Sequence, residues 1–137
     1  MKKIKLACLA SVLAAGVAQA GTPCNGFEIK IKNDLANDNL IIRSIHMEGA
    51  EFQPSGIQQI DANSEAVFTV NNSADGAAIK GEMTLITISL PSKEVKIQFD
   101  LKNKTLTCKH TDFPQQGDLS VNHHRLPGKV DYTINYK

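Results

Sequence analysis

Histidine is the residue type with the widest chemical reach in this sequence, and three of the four lie close together late in the chain, at His110, His123 and His124. An imidazole both exchanges protons near neutral pH and binds copper or zinc. These three, with His46 as a fourth, are therefore the candidate metal ligands. Adjacent residues of a strand face opposite ways, so His123 and His124 enter one site only across a bulge; otherwise they read as surface histidines. Glu48 and Glu51 flank Gly49-Ala50. As a glycosidase pair they would have to face each other across a cleft, and in a loop they read as solvated. The chain has no GxSxG elbow, no HExxH, no phosphate-cradling glycine loop and no DxDxDG calcium loop. The expectation is a non-enzyme without a cofactor, with a triad assembled in space as the remaining catalytic route.

Loops are then the candidates for binding. The longest irregular stretches run over residues 47–62, 71–80 and 111–118, and they contain Phe52 and Phe113. Either phenylalanine, if exposed on a rigid scaffold, is the first candidate for ligand contact; if tucked under its loop it is core. Of the three cysteines, Cys8 falls in the N-terminal leader, which leaves Cys24 and Cys108. Neither sits in a CxxC or a Cys/His cluster, so in an oxidising compartment they read as one disulfide closing a loop of 84 residues.

The elements that hold these residues begin with a leader. Lys2, Lys3 and Lys5 precede an apolar run from Leu6 to Val17, followed by Ala18-Gln19-Ala20. This is the pattern of a cleaved secretory signal of bacterial style over residues 1–20, with the exported domain over 21–137. The apolar run is short of the roughly twenty residues of a spanning helix. Cleavage removes three lysines and leaves 12 basic against 14 acidic side chains, a net charge of −2. An acidic chain with no Trp and 5% aromatics argues against nucleic acid as a partner, by charge and by stacking alike.

Periodicity sets the fold class. Phe27, Ile29 and Ile31 alternate with charged residues, and a two-residue period returns at 66–70, 95–101 and 130–136. Less regular β-rich runs cover 40–47, 83–90, 106–110 and 119–123, separated by Pro-, Gly- and Asn-rich turns. About eight half-buried strands in one domain of this length predict an all-β, antiparallel β-sandwich. A hairpin through Asn103-Lys104 would bring Cys108 beside the sheet that Phe27 enters.

One ordered set of features stands out: Ile29-Lys30-Ile31-Lys32-Asn33, then Leu40-Ile41-Ile42, Gly56-Ile57 and Ile60, Phe68-Thr69-Val70, and Gly81-Glu82. In this order they resemble the aegerolysin-type family of small β-sandwich proteins, over less than half of the chain. The resemblance implies binding to membrane lipids. The alternation ending at Tyr136 is also similar to that of chaperone-assembled pilin subunits, which implies a structural role in a pilus. The expected function is thus a secreted or periplasmic binding or effector module that presents loops to a host or cell-surface ligand. Its alternatives are a membrane-active protein, a periplasmic metal-binding protein and a pilus-type subunit.

Overall fold

The computed structural model describes residues 22–73 and 78–137, and the leader read over residues 1–20 lies outside them. Alternation builds its strands. Ile29 and Ile31, then Val95, Ile97, Phe99 and Leu101, then Val130, Tyr132 and Ile134 are all buried, while their intervening neighbours are not. The strands are β1 (Glu28–Asn33), β2 (Leu40–Glu48), β3 (Glu51–Gln53), β4 (Gln59–Ile60), β5 (Ser64–Asn71) and β6 (Ala78–Thr87). They continue as β7 (Glu94–Asn103), β8 (Cys108–Asp112), β9 (Gln116–Gly117), β10 (Leu119–Leu126) and β11 (Lys129–Tyr136).

Two sheets pack face to face in the order β10-β11-β1-β5-β3 and β4-β2-β6-β7-β8, with β9 pairing β7. The fold is the expected β-sandwich, antiparallel except that β1 and β11 pair in parallel, Glu28 beside Lys129. A parallel pair needs a long crossover, and here the whole intervening chain supplies it. Three short strands, β3, β4 and β9, arise within stretches the sequence presents as irregular. The β6 ladder stops at Thr87, leaving Ile88 to Leu90 outside it, and β8 begins at Cys108, leaving Leu106 in a turn.

Cys24 and Cys108 are bonded, with Cα atoms 4.6 Å apart. The bond ties the segment before β1, in one sheet, to the start of β8, in the other. The Cys24 amide also donates to Asn103 Oδ1 at 2.7 Å. Such a bond belongs to an oxidising, non-cytoplasmic compartment.

One end of the sandwich gathers the C-terminal ends of β1 and β11 and the turn from β6 to β7, as the pairings Asn33 with Ile134 and Leu40 with Thr87 require. Asn33 organises that end. Fully buried, it donates to the carbonyls of Asp38 (2.9 Å) and Ile60 (3.0 Å) and accepts from the Leu35 amide (3.0 Å). All of its main polar capacity is used, so its burial carries no unpaired-group penalty.

Candidate functional site

The histidines lead to the edge where β8 lies over β10. The Arg125 guanidinium donates through Nε to His110 Nδ1 at 3.0 Å. With Nδ1 accepting, neutral His110 carries its proton on Nε2 and donates to the Tyr132 hydroxyl at 2.7 Å. Tyr132 in turn donates to Asp112 Oδ1 at 2.9 Å. The same carboxylate receives Gln115 Nε2 at 2.8 Å and faces His123 Nδ1 at 3.2 Å. Two of the three expected metal ligands, His110 and His123, thus meet at one network, on β8 and β10. His124 takes the other face of β10, as alternation demands. Both ring nitrogens of His110 are engaged, and among the described residues no group of three metal-binding side chains converges. In this geometry His110 and His123 close an edge of the sandwich with polar contacts to Arg125, Tyr132 and Asp112.

The Tyr132 hydroxyl is buried and its pKa is raised, first by burial and then by the Asp112 carboxylate. His110 is held down to about 4, chiefly by burial and next by the Arg125 charge; Asp112 opposes this and His123 adds to it. A histidine that titrates near 6.5 when unfolded and about 4 when folded lets the unfolded chain take up its proton first as pH falls. The stability due to neutral His110 is therefore complete above about 6.5, declines from there to about 4 and is flat below. The expected loss across that window is about 3 kcal/mol. Urea unfolding at pH 7 and pH 4 checks it: His110→Gln should remove about that much of the pH dependence, and an unchanged dependence would contradict the assignment.

Phe52 and Phe113 part company. Phe52 lies on β3, buried against Phe68 and Phe99 with ring centroids 5.7 and 5.9 Å away. It is core, because β3 pairs with β5 and turns its middle residue inward, and the reading of Phe52 as a ligand anchor is corrected accordingly. Phe113 is 39% exposed and lines a depression on the outer face of the second sheet.

The most exposed apolar residue described among the large hydrophobics is Leu90, 87% accessible, in the turn between β6 and β7. Ile88 beside it is 48% accessible and Pro91 follows. The turn is braced at its base. Ser89 donates from N and Oγ to the Asp38 carboxylate, Ile88 N donates to Asn39 O at 3.3 Å, and Thr87 N donates to Lys93 O at 2.9 Å. Lys93 Nζ stands 5.3 Å over the ring of Tyr136, another exposed residue. The result is a fixed apolar tip rimmed by one cation and one phenol.

The sequence carries a signal for this tip. In Met83-Thr84-Leu85-Ile86-Thr87-Ile88-Ser89-Leu90 the inward phase, set by buried Met83 and Leu85, passes to buried Thr87 and then to Ser89, exposed beyond the strand's end, while the alternate positions become Ile86, Ile88 and Leu90. Apolar residues change faces there, and the outer ones have no sheet to cover them.

No family model matches this chain, and no curated protein matches it. Solved structures do. RahU protein, in a crystal structure with a TRIS molecule, superposes with a TM-score of 0.53 at 10% identity, covering 85% of this chain and 98% of its own. IP-1A from Alcaligenes faecalis gives 0.51 at 10% identity, covering 87% and 97%. At that identity the likeness is one of fold: this chain shares its β-sandwich with both.

Proposed function

We propose that this chain is an exported, non-enzymatic binding module that engages a host or cell-surface ligand through the end of the sandwich carrying Ile88, Leu90 and Tyr136. One observation carries the reading: a leucine that is 87% accessible on a turn held by hydrogen bonds at its base. A soluble domain gains nothing in folding from an apolar side chain left in water, whereas a pre-ordered anchor enters an interface with little further loss of conformational freedom. The His110 network gives no support to catalysis, because its tyrosine hydroxyl is covered and already committed to Asp112.

A second reading, a membrane-active protein, is favoured by the composition of the same tip. Apolar Ile88 and Leu90 flanked by Lys93 and Tyr136 suit the boundary between acyl chains and headgroups. The aegerolysin-type resemblance supports it as well.

Labelled protein lacking residues 1–20 should bind intact eukaryotic cells saturably, and Leu90→Asp should weaken that binding about tenfold or more with the thermal midpoint nearly unchanged. Co-sedimentation with phosphatidylcholine vesicles, with and without phosphatidylglycerol and sterol, separates the readings. Binding to cells and not to vesicles favours a protein or glycan ligand; binding to both favours lipid. A Leu90→Asp variant that binds like the unaltered protein would overturn both.

A further inference from the structure

The outer face of the second sheet carries a polar depression distinct from the loop end. Two rows of polar side chains cross β2, β6 and β7: His46 beside Glu82 beside Gln98, and Glu48 beside Lys80 beside Asp100. Neighbouring strands stand about 4.8 Å apart and like-facing residues of one strand about 7 Å apart, so the rows form a lattice on the scale of a small ring. Phe113 rises beside it, its amide pinned to Gln98 O at 3.1 Å and its carbonyl held by Gln115 Nε2 at 2.8 Å. Together these residues line an open depression of about 360 Å³.

The two rows differ in what they offer. In the first, Gln98 Nε2 donates to Glu82 Oε2 at 2.8 Å and Lys96 approaches Glu82 at 3.7 Å, which holds that carboxyl below its ordinary pKa. The row is braced from within. In the second, Lys80 stands between Glu48 and Asp100 on adjacent strands, yet neither carboxylate comes within 4.0 Å of it among the described residues. Glu48 Oε1 meets His46 Nε2 of the first row at 3.4 Å, so it is Lys80 and Asp100 that display donor and acceptor capacity there.

Charge decides what fits. An anion such as a phosphate would face Glu48, Glu82 and Asp100, and a cationic amine would face Lys80 and His46. A neutral ring bearing adjacent hydroxyls uses both signs, since each hydroxyl donates to a carboxylate and accepts from an ammonium or amide. Its C–H face suits an exposed aromatic wall. Volume agrees, because small-ligand sites begin at about 300 Å³. We propose that this face binds a saccharide, with Lys80 and Asp100 contacting hydroxyls, Gln98 supporting them and Phe113 packing on the ring. The proposal goes beyond the loop-end reading and stands or falls separately from it.

Amide chemical shifts of the protein test it under titration with methyl glycosides of glucose, galactose, mannose and N-acetylglucosamine at millimolar concentrations. At least one should move the amides of residues 80–82, 98–100 and 113 saturably. Asp100→Ala and Phe113→Ala should each weaken that titration about tenfold. Lys80→Ala, at an exposed position, gives a further variant if either of those disturbs the fold. Three results would overturn the saccharide assignment: shifts at these amides with TRIS cation or inorganic phosphate and with no glycoside, glycoside shifts elsewhere on the molecule, or no shifts at all.

Discussion

Reducing the Cys24–Cys108 bond, or replacing both cysteines by alanine, is expected to lower the unfolding free energy by about 4 kcal/mol. The two residues are separated by 84 positions, so the bond closes most of the domain into one loop and removes that freedom from the unfolded chain. It also holds the buried turn at Cys24, whose amide reaches Asn103, against β8 of the facing sheet. Domains of this size retain only about 5–15 kcal/mol of stability. Urea unfolding with and without reductant measures the effect. The midpoint should fall steeply, and an unchanged midpoint would show that the sheets need no covalent tie.

Gly81 is expected to tolerate no side chain. A Cβ there would lie 2.2 Å from Phe99 Cζ and 2.7 Å from both Cε atoms. The ring has no room to retreat, because it packs against Phe52, His110 and Tyr132 with centroids 5.9, 5.8 and 6.4 Å away. Gly81→Ala should therefore cost about 3 kcal/mol, at the upper end of what overpacking does in a filled core. Phe99→Leu alone should also destabilise, through the cavity it leaves. Combined, the two substitutions should cost less than their sum, since the shorter side chain vacates the space that the new methyl needs. Thermal unfolding of the four proteins measures the coupling, and strict additivity would contradict the contact.

The strands with clean alternation, β1, β7 and β11, were legible apart from the terminal Asn33 and Asn103, since the inward face of each is otherwise apolar and the other polar or charged. The disulfide was legible from compartment and count. The short strands β3, β4 and β9 were not. A two- or three-residue strand has too few side chains to show a period, and each forms because a longer neighbour offers a ladder. Phe52 shows the consequence: read from a loop it is a candidate anchor, and on β3 it is core.

The edge network was half visible. His110 and His123 stood out by type, but Tyr132 looked like one more inward residue of β11. Its hydroxyl acquires meaning only when β8 brings His110 and Asp112 to it from 22 and 20 positions away. Histidines assembled by pairing between sheets have no fixed spacing in the chain, so a metal site and a hydrogen-bonded edge look the same in one dimension. The apolar tip was concealed for another reason. A run from Met83 to Leu90 that is apolar or β-branched at every position but Ser89 reads as one strand, although the ladder ends at Thr87.

Amide hydrogen exchange of the protein, free and bound to intact cells, probes the role of the Leu90 end most directly. Slowing confined to residues 36–39, 88–93 and 134–136 is the outcome that the apolar tip and its braces require. Bound protein that exchanges at the free rate over residues 88–93, or is protected only at the opposite end of the sandwich, would contradict the assignment of the contact surface.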